Sequence, residues 1–568
     1  MKKIMAILVG LAMAVSVFAG GNRAQQSSSS GTSRVGAKGS LPLALNKPVL
    51  TMFVPGVISD VVTSLDYKDN AFTKKIVDET GVQLEITATS GADAVERLNV
   101  MLNAGTYPDI ICARYASIDM NYYASQGILI PMDDYDIMSY PNIKAAFDEF
   151  PAINEKVRGT DGKLYALPWV NDCLHCTYNA GRVWYFLPWI RDNGLKAPET
   201  TDELAEYLRY VKNHDLNGNG KNDELGIVFG KNDLQNFITY ITKAFMPFVK
   251  TDSYFGLALD NSRKIVEQYR DDNFRAALSY LAGLYKEGLI AEDAFSMTAD
   301  QLAAVARNAE PITAVLGATW VNNVTLQPSD RYMDFFYLPP LKTASGQRYA
   351  SSRDPWGIIG PMYYITDKCK DPELAIALYN YLVDIEVSRN ASEGPKGIAW
   401  NDPDPGALSF TGGPALYKRL VNLGTQPVNA SWNGYSPWIG NTKFRLGQQV
   451  EGAEMAKKYL ATGDKSLKAP LLANASYPEF MWYVTATEAS KYAMPQSLFI
   501  PPFLMNTADN TRVADINAVL NPFKEQAIVE FITGIRDINN NAAWNAYLAE
   551  LDRLNSKEAV SIMQKYVK

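Results

Sequence analysis

The apolar run at residues 49–54, stopped by Pro55, predicts a buried strand. Residues 72–80 read as a helix ending at Gly81, and residues 82–87 alternate apolar and polar positions with the period of a half-buried strand. A second helix opens after Ser90, Gly91, Ala92 and Asp93. It sets Val95, Leu98, Met101 and Leu102 on one face and closes at Gly105. A strand at 108–112 follows. Strand, helix, strand, helix, strand within about 65 residues is the opening of an α/β lobe.

The alternation continues beyond this lobe. The turn at Asp161, Gly162 and Lys163 leads into a strand at 164–169. Residues 183–193 read as helical, with Pro188 placed to kink the helix or delay its start. Thr200 and Glu203 have the spacing of a capping box, ahead of a helix whose buried stripe is Leu204, Tyr207, Leu208 and Val211. A strand is predicted at 225–229 and a helix across 270–292, with Phe274, Leu278 and Leu281 at core spacing. A further strand is predicted at 313–320 and a helix at 372–384.

Between the capped helix and the 225–229 strand lies the most distinctive loop. Asp215, Asn217, Asn219, Asp223 and Glu224 carry side-chain oxygens separated by small residues, and Lys221 adds a backbone carbonyl. A hard cation such as Ca²⁺ takes six to eight oxygens at about 2.3–2.6 Å. With Asp215 as position 1, oxygens fall at 1, 3, 5 and 9 and Gly220 at 6. Position 12 is Gly226, where an EF-hand needs its bidentate Glu, so Glu224 at position 10 is the substitute carboxylate. The loop is therefore expected to hold a structural Ca²⁺ on Asp215, Asn217, Asn219, Lys221, Asp223 and Glu224. The alternative is an Asn-Gly-rich surface turn.

Composition narrows the function classes. The chain of 568 residues is long enough for two substantial cores. Its net charge of −7, without basic runs, speaks against nucleic-acid binding. His175 and His214 are the only histidines, which leaves little for His-based catalysis. Cys173 and Cys176 have CxxC spacing, but neither a thioredoxin-like frame nor a second zinc-type pair is evident; they read as core thiols or a local disulfide. No GxxxxGK[ST] phosphate loop occurs, and no recognisable catalytic motif marks an enzyme.

The first residues carry Lys2 and Lys3, an apolar run at 4–18 and a small residue, Ala19, which together predict a signal peptide at 1–19. Residues 20–45, rich in Ser, Gly and Gln, read as a disordered tether. No cysteine precedes Cys112, so no lipobox is present, and the expected location is the periplasm.

Two features suggest a ligand. Arg114 and Tyr115 directly follow a strand, where α/β folds place their ligands, and Arg114 has the fork for a carboxylate or for hydroxyls. Trp432, Tyr435 and Trp438 crowd seven residues among Gly, Pro, Ser and Asn. Loop aromatics without periodicity suit stacking on sugar rings, and anchoring the loop is the other reading.

The loop at 215–224 resembles that of the extracellular solute-binding proteins of ABC sugar importers, in particular the group around alginate-binding proteins and the LplA lipoprotein. Residues 97–110, 127–134, 353–360, 527–534 and 544–548 carry the same resemblance, which spans roughly 48–568. It implies a two-lobed periplasmic-binding-protein (Venus-flytrap) α/β fold, each lobe a β-sheet flanked by helices, with a helical C-terminal extension. The expected N-terminal lobe is 46–172 plus 315–385, and the C-terminal lobe is 173–314 plus 386–568. By the resemblance Trp169, Trp320 and Trp356 flank crossings between the lobes, at the cleft or in the core. The implied function is capture of an oligosaccharide, acidic sugars included, by a monomer that delivers it to permease subunits in the inner membrane. The alternatives are a peptide or signal-molecule binder on the same fold and a secreted carbohydrate-active enzyme.

Overall fold

The apolar segment Val49–Pro55 becomes an inner strand of a six-stranded sheet. The order across it is Ile439–Gly440, Ala166–Asn171, Ile358–Ile365, Ile110–Cys112, Val49–Pro55 and Gln83–Thr89. Val49–Pro55 pairs parallel with both neighbours, whereas Ile358–Ile365 runs antiparallel between Ile110–Cys112 and Ala166–Asn171. A second sheet of four strands has the order Phe335–Tyr337, Val183–Phe186, Thr313–Gly317, Leu225–Phe229. The structure, a computed structural model, describes residues 38–567 except 56–65, 90–92, 114–117, 179–181, 252, 327–328, 351, 353–354, 423–428, 433–436, 438 and 441.

Each sheet organises its own core. Met52, Phe53, Ile76, Ile110, Leu167 and Tyr363 are fully buried around the first, and Leu208, Val211, Val228, Leu281 and Val315 around the second. Local signals explain the helices. Asn70 accepts hydrogen bonds from the Phe72 and Thr73 N–H groups and starts Ala71–Thr80, which ends at Gly81 with φ of 72°. Any side chain at Gly81 would collide with the Ala44 carbonyl oxygen. The Thr200–Glu203 capping box forms, and Leu204, Tyr207, Leu208 and Val211 of Thr201–Lys212 are buried.

Several expectations need correction. Residues 183–186 are strand, and the helix is only Leu187–Asp192, with Pro188 in its first turn where a missing N–H costs nothing. Gln83–Thr89 is an edge strand with nearly every residue half-covered, so the alternation does not separate two faces. Val95 is exposed, while Leu98 and Leu102 carry the buried face of Ala94–Ala104. The boundary drawn at 315 falls inside Thr313–Gly317, which pairs with Val183–Phe186 and Leu225–Phe229 in the second sheet. The chain returns to the first sheet only after Phe335–Tyr337. Likewise Val387, Ala391 and Trp432 belong to the first core although they lie beyond 386. The reason is pairing: apolar content at 313–337 suits either sheet, and cross-strand partners decide which.

The helices Thr507–Thr533, Asn541–Arg553 and Ser556–Gln564 cover the second lobe, with Ile528, Phe531, Trp544 and Leu551 in its core. Among the described residues no helix is long and apolar enough to cross a membrane.

Candidate functional site

Among the described residues, three passages of chain that leave one sheet for the other lobe converge on Asp172. The first leaves Ala166–Asn171 and enters Val183–Phe186. The second leaves Phe335–Tyr337 and enters Ile358–Ile365. The third leaves Ile439–Gly440, which pairs with Val170 and Asn171, for the helix Thr442–Leu446. Asp172 Oδ1 accepts the Thr442 N–H at 2.6 Å, and the Asp172 carbonyl accepts the Thr442 hydroxyl at 2.6 Å. Gly357, at φ of 86°, brings the second passage against the first; a Cβ there would lie 3.9 Å from the Asn171 carbonyl oxygen and from Asp172.

These passages frame a cavity of about 370 Å³ lined by Glu149, Phe150, Asp172, Thr177, Pro355 and Trp356. Glu149 and Phe150 come from the first lobe, where the helix Pro141–Glu149 ends. Trp356 packs against Val249, Ala258, Met494 and Phe499 of the other lobe. Burial pushes the Asp172 carboxyl up to about 6, against the Thr442 hydrogen bond and with help from the charge of Glu149. The cavity thus offers one indole, one hydroxyl and two carboxyl groups. An indole face suits the C–H face of a sugar ring, and carboxyl oxygens accept from its hydroxyls.

The predicted ligand residues scatter. Trp356 lines this cavity. Trp320 lies elsewhere, in a cluster with His175 and Trp482 at ring distances of 5.8 and 5.4 Å, with Arg182 5.5 Å above it. Trp169 packs on the first core opposite Gly360. Trp432 is not a ligand platform: it is 1% exposed, its Nε1 donates to Thr73 Oγ1 at 2.8 Å, and Tyr67 and Phe72 meet it edge-on. Flanking Gly, Pro and Ser made its segment look exposed, but Trp432 itself is packed in the first core. Arg114, Tyr115, Tyr435 and Trp438 lie outside the described residues. Glu149, Asp172, Thr177 and Pro355 were missed, because single residues at chain passages have no periodicity to betray them.

The 215–224 loop turns its oxygens inward. Asp215 Oδ1 accepts the N–H groups of Gly218 and Asn219 at 2.7 and 3.1 Å, and Oδ2 accepts that of Gly220 at 2.7 Å. Gly218 and Gly220 sit at φ of 78° and 82°, in the left-handed region the alternation demands. Glu224 is buried. Its Oε1 accepts the N–H groups of Leu216 and Asn217, and its Oε2 has no hydrogen-bond partner among the described residues. The amides of Asn217 and Asn219 donate to Asp223, and that of Asn219 also reaches Glu310 Oε2 at 3.1 Å. Glu310 is distant in sequence and was not foreseen. His214 turns away from the loop and stacks on Tyr210, with ring centres 3.9 Å apart. The all-oxygen donor set and the orphaned buried carboxylate oxygen fit a hard cation.

Comparison with known proteins identifies the architecture. The sequence profile of the bacterial extracellular solute-binding proteins matches residues 69–398. The fructooligosaccharide ABC transporter substrate-binding protein FusA of Streptococcus pneumoniae is 24% identical over 517 residues, 89% of this chain and 88% of the relative. FusA in complex with kestose superposes with a TM-score of 0.70 at 21% identity, covering 91% of this chain and 98% of that one. A FusA EF-hand mutant in complex with fructo-nystose gives 0.69 at 22% identity over 91% and 98%. Alginate-binding protein AlgQ2 without calcium ion gives 0.59 at 16% identity over 92% and 98%. The profile covers more than half of the chain, and the two-lobed α/β fold agrees with it: the protein belongs to the family of bacterial extracellular solute-binding proteins.

Proposed function

We propose that this protein captures a neutral oligosaccharide in the cavity between its lobes and delivers it to the permease subunits of an ABC importer. The observation that carries the proposal is Trp356 beside Asp172 and Thr177, in a cavity to which both lobes contribute. The names of the relatives support the sugar assignment: FusA is a fructooligosaccharide-binding protein. Glu149 and Asp172 favour a neutral, hydroxyl-rich ligand, since a uronate would bring like charge. The three passages act as a hinge, and the ligand stabilises the closed form by touching both lobes. The protein works as a monomer, exported by its signal peptide to the periplasm. Its role is binding, so the oligosaccharide leaves unchanged.

Ca²⁺ would be held by Asp215, Asn217, Asn219, Lys221, Asp223 and Glu224, and would join the helix Thr201–Lys212 to the strand Leu225–Phe229. Its role there is structural, since the loop does not line the cavity.

Thermal unfolding of the mature protein against kestose, longer fructooligosaccharides, uronate oligomers and peptides tests this reading. A ligand at about 100 times its dissociation constant adds about 2.7 kcal/mol. A neutral oligosaccharide that raises the midpoint and is recovered intact supports the proposal. A shift by uronates alone overturns the neutral assignment, a shift by peptides alone overturns the sugar assignment, and recovery of cleaved sugar overturns the binding role.

A further inference from the structure

The turn that begins the first passage carries Cys173, His175 and Cys176, which are 1%, 2% and 8% exposed. Their two sulfurs and one imidazole nitrogen lie within 4.8 Å of one another. Asn171 clasps the turn from both sides: its Oδ1 accepts the Cys173 N–H at 3.0 Å and its Nδ2 donates to Cys176 Sγ at 3.2 Å. His175 is braced between Trp320 and Trp482. The residues flanking this turn, Asp172 and Thr177, both line the interlobe cavity.

The charges around the turn decide between two chemistries. Arg182 Nη2 donates to the His175 carbonyl at 2.9 Å. Arg445 and Arg419 converge on the buried Glu479, at 2.6 and 3.9 Å, and Glu479 Oε1 lies 3.7 Å from His175 Nδ1. Arg182 and Arg445 both act electrostatically on the two thiols. Such a field favours thiolate and opposes a dication. The Cys176 thiol is held below its ordinary range by the hydrogen bond from Cys173, then by His175 and Arg445; burial pushes the Cys173 thiol up. A donor thiol beside a stabilised thiolate is the arrangement of a dithiol poised for exchange.

We propose that Cys173 and Cys176 are a dithiol–disulfide couple, closed in the exported protein, which fixes the turn that carries Asp172 and Thr177 into the cavity. The oxidant is a disulfide of the protein or glutathione class. The Cys176 thiolate attacks one of its sulfurs, breaking that S–S bond and releasing a thiolate, which takes the proton of Cys173. Cys173 then attacks Cys176 Sγ in the mixed disulfide and expels the second thiolate. Two electrons pass to the oxidant, whose disulfide becomes one thiol, carrying the Cys173 proton, and one thiolate, which takes its proton from water. An extracellular family meets the oxidising compartment in which such bonds persist.

The test uses the full mature chain, denatured in acid and alkylated without reductant, so it does not depend on which sugar occupies the cavity. The expected intact mass is that of the reduced chain carrying two alkyl groups, less about 2 Da for the two hydrogens lost in the bridge. Mapping should link Cys173 to Cys176 and find Cys112 and Cys369 alkylated. Reductant should lower the unfolding midpoint of the wild type but not of the Cys173→Ser/Cys176→Ser variant. Alkylation of all four cysteines after incubation with oxidised glutathione overturns the proposal. So does a bond mapped to any other pair, or zinc or copper bound one-to-one and removed by a chelator. If the double variant does not fold, the wild-type mass and map decide alone.

Discussion

The 215–224 loop and the interlobe cavity are built in opposite ways. The loop draws the six proposed Ca²⁺ ligands from ten consecutive residues, and its glycines, amides and carboxylates hydrogen-bond almost entirely among themselves. The cavity draws Glu149, Asp172 and Trp356 from segments that share no local pattern, and it exists only because three chain passages meet at Asp172. A local site is written in residue spacing. A site made by topology is written in strand pairing, which spacing does not reveal.

This contrast can be broken by experiment. The largest effect belongs to Trp432, which stands for the first core: Trp432→Ala should cost about 3–5 kcal/mol in urea unfolding, with unchanged ligand affinity in the folded fraction. Lost affinity without lost stability would return Trp432 to the ligand site. Next comes the loop. Saturating Ca²⁺ at about 100 times its dissociation constant should raise stability by about 2.7 kcal/mol over EGTA-treated protein, and Glu224→Gln should abolish that difference. An EGTA-insensitive midpoint in calorimetry would make the loop a turn without an ion.

The cavity carries the smaller effects. Trp356→Ala should weaken oligosaccharide binding about tenfold, roughly 1.4 kcal/mol by titration calorimetry. Its wall function would be disproved by an unchanged affinity. Asp172 has the smallest effect and a definite sign. Its folded carboxyl titrates at about 6, raised by burial, so it favours the folded state while protonated. That contribution is present below the unfolded value near pH 4 and is lost as pH rises to about 6. Asp172→Asn should therefore gain on the wild type across this window by on the order of 1 kcal/mol after solvent screening. Parallel stability profiles for the two proteins would show that Asp172 titrates normally.

Much of the fold was legible because its signals are local. The capping box at Thr200, the stop at Gly81 and the apolar run at 49–54 each needed only near neighbours. The failures share a cause. Residues 183–186 and 313–317 have apolar content that fits helix or strand, first lobe or second, and only pairing with each other settled both questions. Trp432 and Trp356 sit in similar company of Gly, Pro and Ser, yet one donates to Thr73 inside a core and the other faces a cavity.

By itself, the sequence determined the α/β alternation, the oxygen-lined loop and the family resemblance, since each rests on residue types at fixed short intervals. Only the tertiary structure decided where the chain returns to the first sheet, which tryptophan reaches the cavity, and that Asn171, Arg182, Arg445 and Glu479 surround one pair of thiols. Those arrangements join residues up to hundreds of positions apart. Their geometry follows from sheet register and packing, which no short interval encodes.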